Sequence, residues 1–296
     1  MTTLFKRYLN NFSTLSLTEL NAKASYLKRI DRKFLLTYGQ FSDILNDLKE
    51  NFQVLEIDGK RVFSYDNVYM DTDDYLFYNQ HQNKVKSRTK IRTRLYKDSN
   101  LAFFEYKQKE NGITKKFRYE FPIEEHGKMT KGKTRFFEGV WQSMYEGVKT
   151  PIISPAIKTR YKRITLVNKT GSERLTIDFD IRTKDLRNET AKEVNLKNLV
   201  IIESKSLSEK CGSCDIIKSH GIQEASSCSK YSLGVVYAGL AEKYDTFVET
   251  MTKIKEIRLE TLKNRTRNNS FKDIFRRTTF KNIQKVIEKE SILSVA

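Results

Sequence analysis

Stretches in which polar and apolar residues alternate dominate this chain, and such alternation is typical of β-strands with one buried face. Successive side chains of a strand point to opposite faces, so residues at every second position share a face. The pattern predicts strands at 26–36, 52–57, 61–70, 86–96, 101–110, 113–121, 157–166, 174–182 and 199–205. Most follow one another as hairpins, with Asp58-Gly59 and Asn111-Gly112 as turn signals. We therefore predict an antiparallel sheet of about eight strands.

Helical spacing appears between and around these strands. Residues 40–51 have an apolar helical face, and Asp71 or Thr72 is suited to cap a short helix that follows the third strand. Residues 123–150 are predicted as helix and loop with a core-facing stripe, formed by Phe136, Phe137, Val140, Trp141 and Met144. Residues 1–24 are predicted as a helical lead-in, and residues 235–296 as helix with breaks near 263–270.

One predicted strand carries a cation at every second position. These residues are Lys86, Arg88, Lys90, Arg92 and Arg94. Like charges at this spacing repel, so the arrangement is costly unless the face meets a polyanion, whose phosphate oxygens match Lys and Arg donors. A solvated outer face of the sheet is the alternative interpretation, and it weakens because other strands repeat the pattern.

The charged faces of the strands must lie together, either all outside or all inside, because the apolar faces have to be buried. The last long strand, for example, alternates apolar residues with Arg174, Asp178, Asp180 and Arg182. A sheet that closes with its charge inside is a barrel with a polar lumen. We predict an α+β fold: an antiparallel β-barrel tunnel of about eight strands, with flanking helices and a helical C-terminal tail.

Amino-acid composition indicates the kind of partner and the cellular compartment. The 296 residues include 55 Lys and Arg against 37 Asp and Glu, a net charge of +18, which predicts an acidic partner. Hydrophobic residues make up 38%, enough for a packed core, and no apolar run approaches the length of a membrane span. Three cysteines, an odd number, argue against a disulfide framework and for a reducing interior. We expect a cytoplasmic protein.

Seven short motifs, in order along the chain, resemble those of the vacuolar transporter chaperone (VTC) domain, a polyphosphate polymerase of the triphosphate tunnel superfamily. They are Asp31-x-Lys33, Arg92-x-Arg94, Glu105-x-Lys107, Lys115-Lys116, Tyr161-x-Arg163, Glu203-x-Lys205 and Ser229-Lys230. The resemblance covers residues 25–240, leaving 1–24 as the lead-in and 241–296 as a basic helical tail. It implies a tunnel that binds ATP and polyphosphate and moves the terminal phosphoryl group of ATP onto a growing phosphate chain.

The resemblance also implies residue roles. The implied catalytic residues are Lys33, Arg92, Arg94, Lys107, Arg163 and Lys230, and the implied substrate-binding residues are Lys116, Tyr161, Lys205 and Ser229. Lys90, on the same face of the basic strand, joins the substrate-binding set. Glu203 is the implied ligand of Mn²⁺ or Mg²⁺, with Asp31, Asp178 and Asp180 as additional candidates. No nucleic-acid partner is expected.

Two departures from related enzymes bear on the reaction. Tunnel hydrolases hold metal with a Glu-x-Glu-x-Lys signature on the first strand, where this chain has Arg29, Asp31 and Lys33. One carboxylate is thus replaced by a cation, which favours a polymerase over a triphosphatase. The eukaryotic polymerase also has a Lys where this chain has Ser227, so one phosphate contact is missing or comes from elsewhere.

Two rival functions remain open at this stage. One is a tunnel-type inorganic or nucleoside triphosphatase, and the other is a non-catalytic module that binds polyphosphate or nucleic acid. The carboxylates Glu105, Asp178, Asp180 and Glu203 discriminate, because a pure polyanion binder gains nothing from acids in its groove, whereas a metal-dependent enzyme needs them.

Two further features admit alternatives. Cys211, Cys214, His220 and Cys228 are permitted zinc ligands, but their spacing matches no common zinc motif, and a loop with incidental thiols is favoured. The C-terminal tail repeats an apolar face beside basic residues, namely Phe271, Ile274, Phe275, Ile283, Val286 and Ile287 beside Arg276, Arg277, Lys281 and Lys285. Packing on its own domain is favoured, and docking to an anionic membrane surface or a membrane-protein partner is the alternative.

Overall fold

The computed structural model describes residues 2–23, 29–111 and 113–273. The strands are β1 (Ser13–Leu15), β2 (Ile30–Leu36), β3 (Phe52–Leu55), β4 (Phe63–Asp71), β5 (Arg88–Tyr96), β6 (Leu101–Glu110), β7 (Ile113–Glu120), β8 (Ser154–Asn168), β9 (Glu173–Asp185), β10 (Val194–Asn195) and β11 (Val200–Ser206). The helices are α1 (Thr2–Leu9), α2 (Leu17–Lys23), α3 (Tyr38–Leu48), α4 (Leu76–Gln82), α5 (Lys131–Met144), α6 (Gly212–Ser219), α7 (Lys230–Tyr237) and α8 (Val248–Asp273). Short 3₁₀ turns occur at Ile123–Glu125 and Asp245–Phe247.

Eight strands form one curled sheet in the order β2-β11-β9-β8-β4-β5-β6-β7, and every neighbouring pair is antiparallel. β3 and β10 join its flanks, and β1 pairs with β3. Within the described residues, β2 and β7 are not paired to each other, so the sheet is a half-barrel with an open side. The predicted antiparallel tunnel with flanking helices is confirmed, although β1 and β10 were not predicted.

The convex face of the sheet carries most of the core. Helices α1, α3 and α6 cover the β2–β8 side through residues such as Phe5, Phe41 and Ile217, all without solvent exposure. Helix α5 covers β4 to β7, and its Phe137 and Trp141 pack there, which confirms the predicted stripe. Burying one such side chain stabilises the fold by about 1.5–3 kcal/mol, so the apolar face of each strand fixes which face is left for the lumen.

The concave face is closed at one end by helices. α4 and α7 pack there around Tyr69, Tyr78 and Tyr231, and α8 adds Ile254 and Ile257 beside α7. The rest of the concave face is lined by charged side chains.

Tyr75 occupies the N-cap position of α4, and the predicted residues Asp71 and Thr72 satisfy the first amides of the helix from further upstream. Asp71 is fully buried, and its carboxylate accepts hydrogen bonds from the backbone amides of Phe77 and Tyr78 at 2.9 and 3.0 Å. The Thr72 hydroxyl accepts one from the Leu76 amide at 2.9 Å. Tyr231 of α7 donates a short hydrogen bond to the same Asp71 carboxylate, so one buried acid joins α4 to α7. This link fixes where α7 begins.

A β-bulge in β9 overturns one expectation from the sequence. The register between β8 and β9 shifts between Arg160 and Lys162, and Asp180 has a φ of 52°. The extra residue reverses which side chains face the lumen. Asp180 therefore pairs with Lys162 and Arg182 on the convex face, and the expectation that it shares a face with Asp178 is wrong.

The terminal segments are more integrated than predicted. The lead-in is two helices separated by β1, and Phe5, Leu9 and Phe12 belong to the core. The break predicted near 263–270 is wrong, because α8 is continuous through it. The basic apolar segment from Ile274 onward lies outside the described residues. None of the described helices combines the length and the apolar character of a membrane span.

Candidate functional site

Three neighbouring strands place rows of charge on the concave face. Register puts Lys107 of β6 between Lys90 of β5 and Lys116 of β7, and directly opposed residues of a sheet share a face. The next row of the same face contains Arg92, Glu105 and Arg118, and the row after it begins with Arg94. The predicted strand began at Lys86, but β5 starts at Arg88 and Lys86 is exposed outside it. Period-two alternation thus builds a basic wall with one carboxylate in it.

That carboxylate, Glu105, is 2% exposed and contacts cations from both neighbouring strands. Its oxygens lie 2.6 Å from Arg92, 2.7 Å from Lys116 and 3.2 Å from Arg118. Burial would raise the pKa of Glu105, but the charges of Arg92, Arg94 and Lys116 lower it far below its ordinary value. Burial also lowers the pKa of Lys116 to about 8, despite the opposing pull of Glu105. Glu105 is a counter-ion that orients the wall, with its oxygens already engaged.

Arg94 sits deeper, among aromatic rings. Its Nε donates to Asn67 Oδ1 at 2.9 Å, and Nη2 donates to the Tyr161 hydroxyl at 3.4 Å. Its guanidinium carbon lies 5.5 Å from the centroid of the Tyr65 ring, which stacks on the Tyr161 ring at 5.2 Å. Burial opposes ionisation of Tyr161, but the nearby Arg94 and Arg163 outweigh it and lower the pKa of that phenol. The rings hold the guanidinium in one orientation.

A second buried carboxylate organises the other wall. Arg163 of β8 makes a bidentate ion pair with Asp178 of β9, with Nε–Oδ1 at 2.6 Å and Nη2–Oδ2 at 2.8 Å. Lys230, the first residue of α7, also contacts Asp178 Oδ2. Burial would raise the pKa of Asp178, but Arg163 and Lys230 lower it. The start of α7 is thereby attached to the wall of the tunnel.

β2 and β11 supply mixed charges. Register places Lys33 opposite Glu203 and Asp31 opposite Lys205, so the two carboxylates are diagonal neighbours. Glu203 lies 2.8 Å from Lys205, and Asp31 lies 2.9 Å from Arg29. Burial would raise the pKa of Glu203, but Lys205 and Lys33 lower it well below its ordinary value. Burial lowers the pKa of Lys205 to about 8. Both acids remain partly accessible, at 24% and 30%.

Three lysines of the tunnel lack such partners. Lys33, Lys90 and Lys107 form no ion pair with any carboxylate among the described residues. Lys90 Nζ donates to Ser229 Oγ at 2.8 Å, where Ser229 caps α7. Burial, together with mutual repulsion, lowers the pKa of Lys90 well below its usual range and also lowers that of Lys107. Glu203 and Asp31 act on Lys107 only at a distance, so the three ammonium groups, with no carboxylate in contact, suit a bound anion.

The structure brings most of the predicted residues to this lumen. They are Lys33, Lys90, Arg92, Arg94, Lys107, Lys116, Tyr161, Arg163, Asp31, Asp178, Glu203, Lys205, Ser229 and Lys230. Asp180 stays outside. The sequence interpretation missed Arg118 and the ring of Tyr65, both of which alternation alone could have placed on this face.

The cysteine and histidine set does not assemble. A disulfide joins Cys211 and Cys214 at the start of α6, which the sequence interpretation did not anticipate. His220 lies 2.7 Å from Asp47, and Cys228 packs with a separate cluster beside Leu233. In the described ranges there is no group of three His, Cys, Asp or Glu side chains placed to hold a metal ion.

Several solved structures resemble this chain at low sequence identity. A protein from Vibrio parahaemolyticus, provisionally described as an adenylate cyclase, is 9% identical, with a TM-score of 0.39 over 69% of this chain and 97% of its own. A protein from Hippeastrum, also provisionally an adenylyl cyclase and described as having a dominant triphosphatase activity, is 14% identical, with a TM-score of 0.41 over 74% and 99%. A protein from Pyrococcus horikoshii is 12% identical, with a TM-score of 0.37 over 69% and 97%.

The family comparison is more specific. No curated protein matches the chain significantly. Residues 28–239, which span the sheet from β2 to β11 and continue through α7, match the VTC domain. This chain belongs to the VTC domain family.

Proposed function

We propose that this protein is an ATP-dependent polyphosphate polymerase that transfers the terminal phosphoryl group of ATP onto a growing polyphosphate chain inside the tunnel. The observation that carries the proposal is the trio Lys33, Lys90 and Lys107, which come from three strands and face the same lumen, with no carboxylate of the described residues in ion-pair contact. A polyphosphate segment supplies the missing negative charge. Membership of the VTC domain family supports the same reaction.

The surrounding residues suit phosphoryl transfer. This reaction needs positioning and charge stabilisation more than covalent help from the protein. Arg92 and Arg163 are held in fixed orientations by Glu105 and Asp178, so their remaining donors meet phosphate oxygens without first being ordered. Lys230 and Ser229 present the N-terminus of α7 to the same space. These groups would bind both phosphate chains and stabilise the transferring group.

The carboxylates of the tunnel are suitable ligands for a divalent cation such as Mg²⁺ or Mn²⁺. Mg²⁺ and Mn²⁺ bind oxygen ligands, and Mg²⁺ is commonly held by one or two carboxylates with substrate phosphates completing the shell. Glu203 and Asp31 are diagonal neighbours with partial access, whereas Asp178 is enclosed by Arg163 and Lys230. Glu203, with Asp31, would hold the cation. When bound, it would neutralise charge on the phosphates.

One feature favours polymerisation over hydrolysis, and one departure from the eukaryotic polymerase is compensated. Arg29 binds Asp31 at 2.9 Å, so the first strand offers one engaged carboxylate where tunnel hydrolases have two. Near α7, Ser227 replaces the lysine of the eukaryotic polymerase, and its carbonyl accepts a hydrogen bond from Thr250. Lys90, which contacts Ser229, would supply the missing cation from the opposite strand.

The test is direct. The protein is incubated with ATP and Mn²⁺ or Mg²⁺, polyphosphate is detected by gel staining, and released phosphate is measured in parallel. Polyphosphate that appears with ADP supports the proposal. Phosphate release without polymer would identify a triphosphatase, and binding without turnover would identify a binding module; either result overturns the proposal. Arg160→Ala serves as the matched control for Arg92→Ala, because Arg160 pairs with Glu193 on the convex face.

A further inference from the structure

The last turn of α4 is held firmly against the tunnel wall. Gln80 Oε1 accepts a hydrogen bond from the Thr89 amide of β5 at 2.8 Å, and the Gln82 carbonyl accepts one from Thr246 at 2.6 Å. Three residues before His81, the Tyr78 hydroxyl donates to the Lys243 carbonyl at 2.7 Å. Residues three apart on a helix share a face, and Tyr78 packs in the concave cluster, so His81 is on the lumen side.

His81 lies among cations. The charges acting on its ring are Lys90 and Arg88 of β5, Lys107 of β6 and Lys33 of β2. Among the described residues, its imidazole has no hydrogen-bond or ion-pair partner. The residue is half-buried, so part of it remains accessible to solvent. The other elements packed against α4 bring Lys230, which is paired with Asp178, and Asp245, whose charge acts on Tyr78.

This placement is unusual for a helix end. A histidine in the last turn normally gains a proton readily, because the carbonyl end of the helix favours a cation. Here burial and then the four neighbouring cations lower the pKa of His81 to about 2, so the ring is neutral at physiological pH. A neutral imidazole keeps one N–H donor and one acceptor nitrogen. It can contact phosphate without adding to the repulsion among the lysines.

We propose that His81 is a further phosphate-contacting residue of the tunnel, which donates a hydrogen bond to the chain bound by Lys33, Lys90 and Lys107. This inference rests on the proposed function, because it takes the ligand to be a phosphate chain. Bound phosphates offset the charge of the four cations, which removes one cause of the low pKa of His81, while burial, the larger cause, remains. The pKa of His81 therefore rises when the tunnel is filled, and the ring can donate from an N–H in either protonation state.

Histidine NMR tests this directly, since the chain contains three His. His126 contacts Asp66 on the convex face and His220 contacts Asp47, which makes both internal controls. The probe is tripolyphosphate with EDTA, and His81→Gln assigns the signal. In the free protein the His81 signal should not titrate between pH 8 and pH 5. With saturating tripolyphosphate the His81 signal should shift at constant pH, because its N–H donates to phosphate, and it should titrate at a higher pH than in the free protein, while the control signals stay unchanged.

Calorimetry with the same probe separates the two possible failures. Absence of tripolyphosphate binding would overturn the proposed function itself. Binding with no change at the His81 signal would overturn only the role of His81. His81→Ala should weaken binding about tenfold, the usual effect of losing one hydrogen bond to a charged group, and His81→Gln, which keeps a donor, should lose less. His220→Gln should bind like the wild type. Unchanged affinity in His81→Ala would also overturn the inference.

Discussion

Glu105 Oε2 accepts a hydrogen bond from Arg92 Nε at 2.7 Å and lies 2.6 Å from Arg92 Nη2, across the β5–β6 pair. The other carboxylate oxygen, Oε1, contacts Lys116 at 2.7 Å and Arg118 at 3.2 Å. Arg94 Nε also lies 3.9 Å from Oε2, so removing Arg92 leaves the buried Glu105 carboxylate with three cations. The energetic roles of Arg92 and of its neighbour Arg94 differ for this reason.

Arg92→Ala and Arg94→Ala should both abolish polyphosphate synthesis, with losses of at least about 100-fold, as expected when a donor to developing charge is removed. Their stabilities should differ. Arg92→Ala should melt close to the wild type. Arg94→Ala should lose about 2 kcal/mol of unfolding free energy, because Arg94 is enclosed by Tyr65 and Tyr96 and leaves Asn67 Oδ1 unsatisfied. Turnover and denaturant melts check both, and wild-type turnover in folded Arg92→Ala would contradict the assignment.

Glu203→Gln should lose metal binding and activity together. The substitution preserves the shape of the side chain and removes the charge that attracts a divalent cation and pairs with Lys205. Mn²⁺ affinity measured by calorimetry should fall at least about tenfold, with synthesis lost in parallel. Glu193→Gln, on the convex face beside Arg160, is the matched control. Wild-type Mn²⁺ affinity in Glu203→Gln would contradict this assignment and place the metal on Asp31 instead.

Alternation along the strands was sufficient to predict which cations share the lumen. Lys90, Arg92 and Arg94 face it because Ile91 and Thr93, between them, are completely buried against the convex core. Alternation could not reveal the bulge at Asp180. The bulge is a change in backbone conformation and strand register, and the polar and apolar pattern of β9 does not show it.

The roles of the carboxylates also could not be predicted from the sequence. Glu105, Asp178 and Glu203 all occupy lumen positions of their strands, yet only Glu203 keeps appreciable access. Whether a buried acid serves as a counter-ion or as a metal ligand depends on how many cations surround it in three dimensions. Strand pairing decides this, because the partners of Glu105 come from β5 and β7 on either side.

Affinity for phosphate chains should fall as the pH rises through 8. The pKa values of Lys116 and Lys205 are lowered to about 8 in the free protein, with burial as the main cause. Both ammonium groups are charged below pH 7, and bound phosphate favours the charged form, so binding above pH 8 must take up protons. Each lysine should then weaken binding up to about tenfold per pH unit.

The measurement is the Kd for tripolyphosphate at pH 7, 8 and 9, at constant ionic strength and without metal. Lys116→Gln should bind more weakly at pH 7 and show a shallower pH dependence, because one of the titrating groups is gone. Lys162→Gln, a change on the convex face, should keep the wild-type slope. A Kd that stays constant from pH 7 to pH 9 would contradict the assignment of these lysines to the binding site.

The C-terminal tail packs on the rest of the domain through residues near the start of α8. Ile254 and Ile257 are buried against Leu233, and Thr250 donates a hydrogen bond to the Ser227 carbonyl close to the tunnel. Truncation after Asn269 retains all of these contacts, so polyphosphate synthesis and melting temperature should stay near wild type. If the distal basic segment docks on membranes, this truncation should also reduce binding to anionic liposomes.

Truncation after Tyr244 is the contrasting variant, because it removes Ile254 and Ile257, whose burial contributes about 1.5–3 kcal/mol each. That variant should be unstable or insoluble. An inactive or insoluble protein after truncation at Asn269 would show instead that the distal segment belongs to the core, and unchanged liposome binding would remove the case for a docking role.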